Sequence, residues 1–78
     1  MKIEYAITPL DRISDTEELV SVEIIPEERL NGFSGTTLQF TVNPKTQKKN
    51  VLERVKWKVL QEVGRPAEGM EFIERSGR

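Results

Sequence analysis

Five apolar side chains, Val51, Leu52, Val55, Val59 and Val63, recur at the spacing of one helical face, and they constrain the fold more than any other feature. At about 100° per residue they fall within an arc of about 120°, so residues 50–63 read as an amphipathic helix. Such a helix is stable only when a second layer covers its apolar side. The preceding segments supply that layer. Ile3, Tyr5 and Ile7 alternate with Lys2, Glu4 and Ala6. Residues 20–25 alternate in the same way, and Leu38, Phe40 and Val42 alternate with Thr37, Gln39 and Thr41. A period of two marks half-buried strands. The expected class is α+β: a small three- to four-stranded, mostly antiparallel sheet with one amphipathic helix packed on one face. The order is β-β-β-α, with the apolar run 70–73 as a short C-terminal strand.

The punctuation places the boundaries. Thr8-Pro9 is expected to end the first strand, because proline cannot donate to a ladder and restricts the residue before it. Within residues 10–19, Ser14-Asp15-Thr16-Glu17 has the form of a capping box and would allow a single helical turn. Asn31-Gly32 is a turn pair inside a hairpin loop, residues 26–35, that joins the second and third strands and exposes Phe33 at its tip. The helix could begin with Asn43 as N-cap and Pro44 at N1, or at Asn50 with Glu53 at N3. Lys48 would fall on the apolar face of the longer helix, so the periodicity favours Asn50. Gly64 and Pro66 form its stop signal, and residues 76–78 read as a frayed end.

With 78 residues the chain is read as one domain, 1–78, whose core must use nearly every apolar side chain it has. It contains neither cysteine nor histidine. Disulfides and thiolate chemistry are excluded, and so are the commonest metal ligand and general base. Residues 1–5 carry no apolar leader core, and no run approaches the ~18–20 apolar residues of a membrane span. A cytoplasmic protein with no membrane partner is expected.

The catalytic possibilities are thin. Asp11, Asp15, Glu17 and Glu18 do not have the spacing of a calcium loop, and a solvated acidic loop explains them, so no metal site is expected. Residues 32–37 lack the Gly-Lys-Ser/Thr ending of a phosphate loop and precede a strand instead of a helix. No nucleophile stands at a diagnostic spacing from a base. Neither an enzyme, a cofactor nor a small-molecule substrate is expected.

The charge distribution points to a surface instead. The net charge of −1 conceals a basic segment, residues 45–58, in which six cationic side chains face one acidic one. Residues 1–30 carry three against eight, and residues 31–44 carry no charge at all. The dipole can steer a partner, or the acidic half can lie against the basic helix. Trp57 stands opposite the middle of the apolar stripe, among Glu53, Arg54, Lys58 and Gln61. Two readings follow. Residues 70–73 cover it, or it anchors a partner. The expected docking set is Trp57, Arg54, Lys58 and Leu60 with Lys45, Lys48 and Lys49 from the preceding loop. A protein partner or self-association is favoured, since dedicated nucleic-acid domains are usually basic overall. The alternative is a nucleic acid, with the cations on phosphates and Trp57 stacked on a base.

Overall fold

The alternating segments form one four-stranded mixed sheet with the helix packed across it. The computed structural model describes residues 2–29, 32–64 and 69–75. β1 (Lys2–Arg12), β2 (Glu18–Pro26) and β3 (Thr36–Val42) are followed by a 3-10 turn (Pro44–Thr46), helix α1 (Gln47–Val63) and β4 (Glu71–Glu74). The spatial order is β3-β2-β1-β4. β2 pairs antiparallel with both β1 and β3, while β4 pairs parallel with β1. The helix is therefore the crossover between two strands at opposite edges of the sheet, as a parallel pair requires.

The core lies between the helix and one sheet face. Ile3 and Tyr5 of β1, Val20, Val22 and Ile24 of β2, and Val42 of β3 meet Val51, Val55, Val59 and Val63 of α1. Among the described residues no polar or charged side chain is buried with them. Each fully buried aliphatic of this size contributes about 1.5–3 kcal/mol, so eleven buried residues must carry most of the fold. Phe33 is one of them, only 7% exposed. The expectation of an exposed loop tip fails here because a core this small gains too much from a large aromatic to leave it in water.

Three boundaries also differ from those expected. β1 continues through Pro9 to Arg12, with a register break between Pro9 and Asp11. β4 covers β1 only from Lys2 to Tyr5, so Pro9 lies on a stretch with no neighbour on that side, where a proline is tolerated. The segment around Ser14 is a hairpin turn, not a helical one. The amides of Ile13 and Ser14 both donate to the Glu17 carbonyl at 3.0 Å, and the Ser14 hydroxyl accepts from the Thr16 amide. Finally, α1 starts at Gln47 directly after the 3-10 turn, whose first amides are capped by Asn43. Lys48 does not prevent this, because its side chain leaves the apolar stripe and reaches Glu74 at 3.3 Å in solvent. The helix stop is as expected: Gly64 adopts φ +80° and its amide donates to the Leu60 carbonyl at 2.7 Å. Pro66 and residues 76–78 lie outside the described residues. No helix among the described residues is long and apolar enough to cross a membrane.

Tyr5 makes the core sensitive to alkaline pH. Burial, reinforced by the negative charge of Glu74, holds its phenol above the ordinary value of 10.0. The native state then keeps a proton that the unfolded chain releases. The contribution is complete below pH 10.0 and is lost as pH rises from there through the native value. Stability is expected to fall with pH in that window, and Tyr5→Phe is expected to flatten the fall. Denaturant melts read against tyrosinate absorbance would check both.

Candidate docking groove beside Trp57

Helix α1 presents its outer face to the edge strand β3, and the two enclose an open groove of about 560 Å³. Its lining comes from the end of β3 and the loop after it, residues 40–43, and from Asn50, Glu53, Arg54 and Trp57 of α1. The helical period accounts for this set. Asn50, Glu53, Arg54 and Trp57 occupy the quadrant turned away from the valine stripe and towards β3. Trp57 is 61% exposed, the most exposed large apolar side chain among the described residues. Residues 70–73 do not cover it. β4 pairs with β1 at the opposite edge of the sheet, and Phe72 lies beneath Lys56 with the ammonium 5.7 Å from its ring centre.

Arg54 is held on the floor of the groove. Its guanidinium lies 4.4 Å from the centre of the half-buried Phe40 ring, an arrangement in which the ring's negative face attracts the cation. The planar group keeps its in-plane donors available while its face is stacked. Trp57, Phe40 and Arg54 thus line one groove, with the cation stacked on the Phe40 ring.

The remaining members of the expected set are dispersed. Lys58 pairs with Glu62 at 2.9 Å, one turn along the helix. Leu60 is 41% exposed but stands about 60° further round the helix, towards Lys56 and away from β3. Lys48 is engaged by Glu74, whereas Lys45 and Lys49 have no ion-pair partner among the described residues. Lys45, Lys48 and Lys49 border a second shallow cleft of about 400 Å³ around the start of α1. The acidic N-terminal half forms no ion pair with the basic helix among the described residues. Among the described residues the only contact of this kind is the hydrogen bond from the Gln47 amide to Glu18 at 3.1 Å, and Gln47 is uncharged.

Periodicity located Trp57 and Arg54 but missed Phe40 and Asn43. Phe40 alternates as a core residue should, and nothing in the sequence marks β3 as an edge strand whose inner face is only partly covered by the helix. No protein-family model, curated protein or solved structure matches this chain.

Proposed function

We propose that this protein is a non-catalytic interaction module of the cytoplasm that docks a protein partner in the groove between α1 and β3. One observation carries the reading: Trp57, the most exposed large apolar side chain among the described residues, lines the same groove as Phe40 and the Arg54 stacked on it. Tryptophan and arginine are the residue types most enriched among those that dominate interface energies. The indole and the Phe40 ring along one groove offer a partner's apolar side chain a place to bury, and Arg54 offers a donor to a carboxylate or carbonyl. Lys45 and Lys49, beyond the end of β3, favour a partner with an acidic flank. Nucleic acid is the less favoured occupant, because Lys48 and Lys58 are engaged by carboxylates.

Trp57→Ala separates the role of the side chain from the fold. The variant is expected to melt within about 0.5 kcal/mol of the wild type, as an exposed helical substitution should. Wild-type emission is expected to be red-shifted and readily quenched by iodide. Tagged wild-type and variant proteins would then be used to capture partners from the source lysate, with and without nuclease. A nuclease-resistant protein at fixed stoichiometry, lost with Trp57→Ala, is the expected result. A nuclease-sensitive yield that declines steeply with salt would transfer the proposal to nucleic acid. Capture unchanged by Trp57→Ala would overturn it.

A further inference from the structure

We infer that β3 is the interface of an antiparallel dimer, in which β3 of a second copy of this chain extends the sheet to eight strands. This goes beyond the Trp57 groove and rests on the backbone edge beside it. Exposed strand edges invite pairing, and proteins ordinarily protect them with charge, proline, bulges or brevity. Two of the free edges here are protected in those ways. β4 has four residues, starts and ends with glutamate, and is followed by Arg75, which pairs with Glu4 at 3.3 Å. The uncovered stretch of β1 beyond Tyr5 contains Pro9, a register break, Asp11 and Arg12. β3 has no such device. It is seven residues long, carries no charge and no proline, and pairs with β2 without a register break. Its uncharged surroundings extend over residues 31–44.

The sequence of β3 is also complementary to itself. A two-fold axis through Gln39 keeps the helix-bearing faces of both copies on one side and pairs all seven residues, whereas an axis through Leu38 or Phe40 leaves residues unpaired. Thr37 then lies opposite Thr41 of the second copy, and Gln39 opposite Gln39. These pairs are on the solvent face, where threonine pairs are favourable. On the helix side Leu38 lies opposite Phe40 of the second copy, so two half-buried side chains cover each other. Antiparallel pairing also sends Lys45 and Lys49 of the two copies to opposite ends of the joint, about 20 Å apart at ~3.4 Å per residue, where their repulsion is largely screened. A parallel arrangement would bring them together.

Sedimentation equilibrium of the full chain from micromolar to millimolar concentration tests this. The expected result is a reversible monomer–dimer equilibrium, with slower amide exchange along β3 as concentration rises. The exposed pair T37K/T41K places like charges opposite each other twice and is expected to raise the dissociation constant about tenfold or more. T37K/T41E restores complementarity in this register and is expected to recover the dimer. Trp57→Ala is expected to leave it intact, so failure of the groove and failure of the edge are distinguishable. A wild type that stays monomeric at millimolar concentration overturns the inference. So does a dimer indifferent to T37K/T41K, or one that Trp57→Ala alone dissolves.

Discussion

Gly35→Ala is expected to destabilise the protein by about 3 kcal/mol, through strain that no neighbouring side chain can relieve. Gly35 precedes β3 with φ +124°, a conformation that L side chains rarely adopt. A Cβ there would stand 2.8 Å from the carbonyl oxygen of Ile24. That oxygen belongs to the backbone of the central strand β2, and Ile24 is the register partner of Thr36. Relief would require β3 to move away from β2 at the point where their ladder begins. Gly64→Ala is the control. It has a comparable positive φ of +80° and open space around its Cβ position, and its cost should stay near 1 kcal/mol. For a chain this size the whole stability is roughly 4–12 kcal/mol, so the difference is large in chemical denaturation. Equal losses at the two glycines would mean that the contact with Ile24 is unimportant.

A charge in the core should cost more still. Val55 is fully buried at the centre of the helical stripe, and among the described residues Tyr5 is the only buried one with a polar side-chain atom. Val55→Asp is expected to lose at least about 4 kcal/mol at neutral pH, enough to leave much of the chain unfolded. Protonation relieves part of the penalty, so the variant should gain relative to wild type as pH falls from the raised value of the buried carboxyl towards the ordinary carboxylate range. Trp57→Asp, two residues along the same helix, should remain folded. Circular dichroism of the two variants at neutral and mildly acidic pH would show the contrast. A folded Val55→Asp would mean that the valine stripe is not the buried face.

That contrast is legible in the sequence, because Val51, Val55, Val59 and Val63 repeat with a period that admits one buried face. Strand alternation was equally informative for β3, whose bounds match the pattern. Information failed where tertiary context overrides local signals. Pro9 reads as a terminator, yet it is accommodated because β4 is too short to reach it. Lys48 reads as an intruder on an apolar face, yet a flexible stem carries its charge to Glu74. Phe33 reads as a loop tip, yet it closes the core. The exposure of Trp57 depended on which edge of the sheet β4 would join, and a four-residue strand carries too little pattern to decide that. The groove itself was invisible for the same reason, since its floor is an edge strand only by virtue of strand order.

The pairing of β4 with β1 also sets a timetable. Lys2 is matched with Glu71 and Tyr5 with Glu74, so the two partners are separated by nearly the whole described chain. Closing so long a loop carries a large entropic cost, and it comes after the two hairpins and the helix, whose contacts are more local. On the ribosome, Ile3 must wait for β4 to emerge before its side of the sheet is closed. Until then the paired core is β1–β3 with α1, and the stretch Lys2–Tyr5 is an open edge in a nascent chain. The parallel strand thus acts as a latch, closing an edge of β1 that the more local contacts leave open.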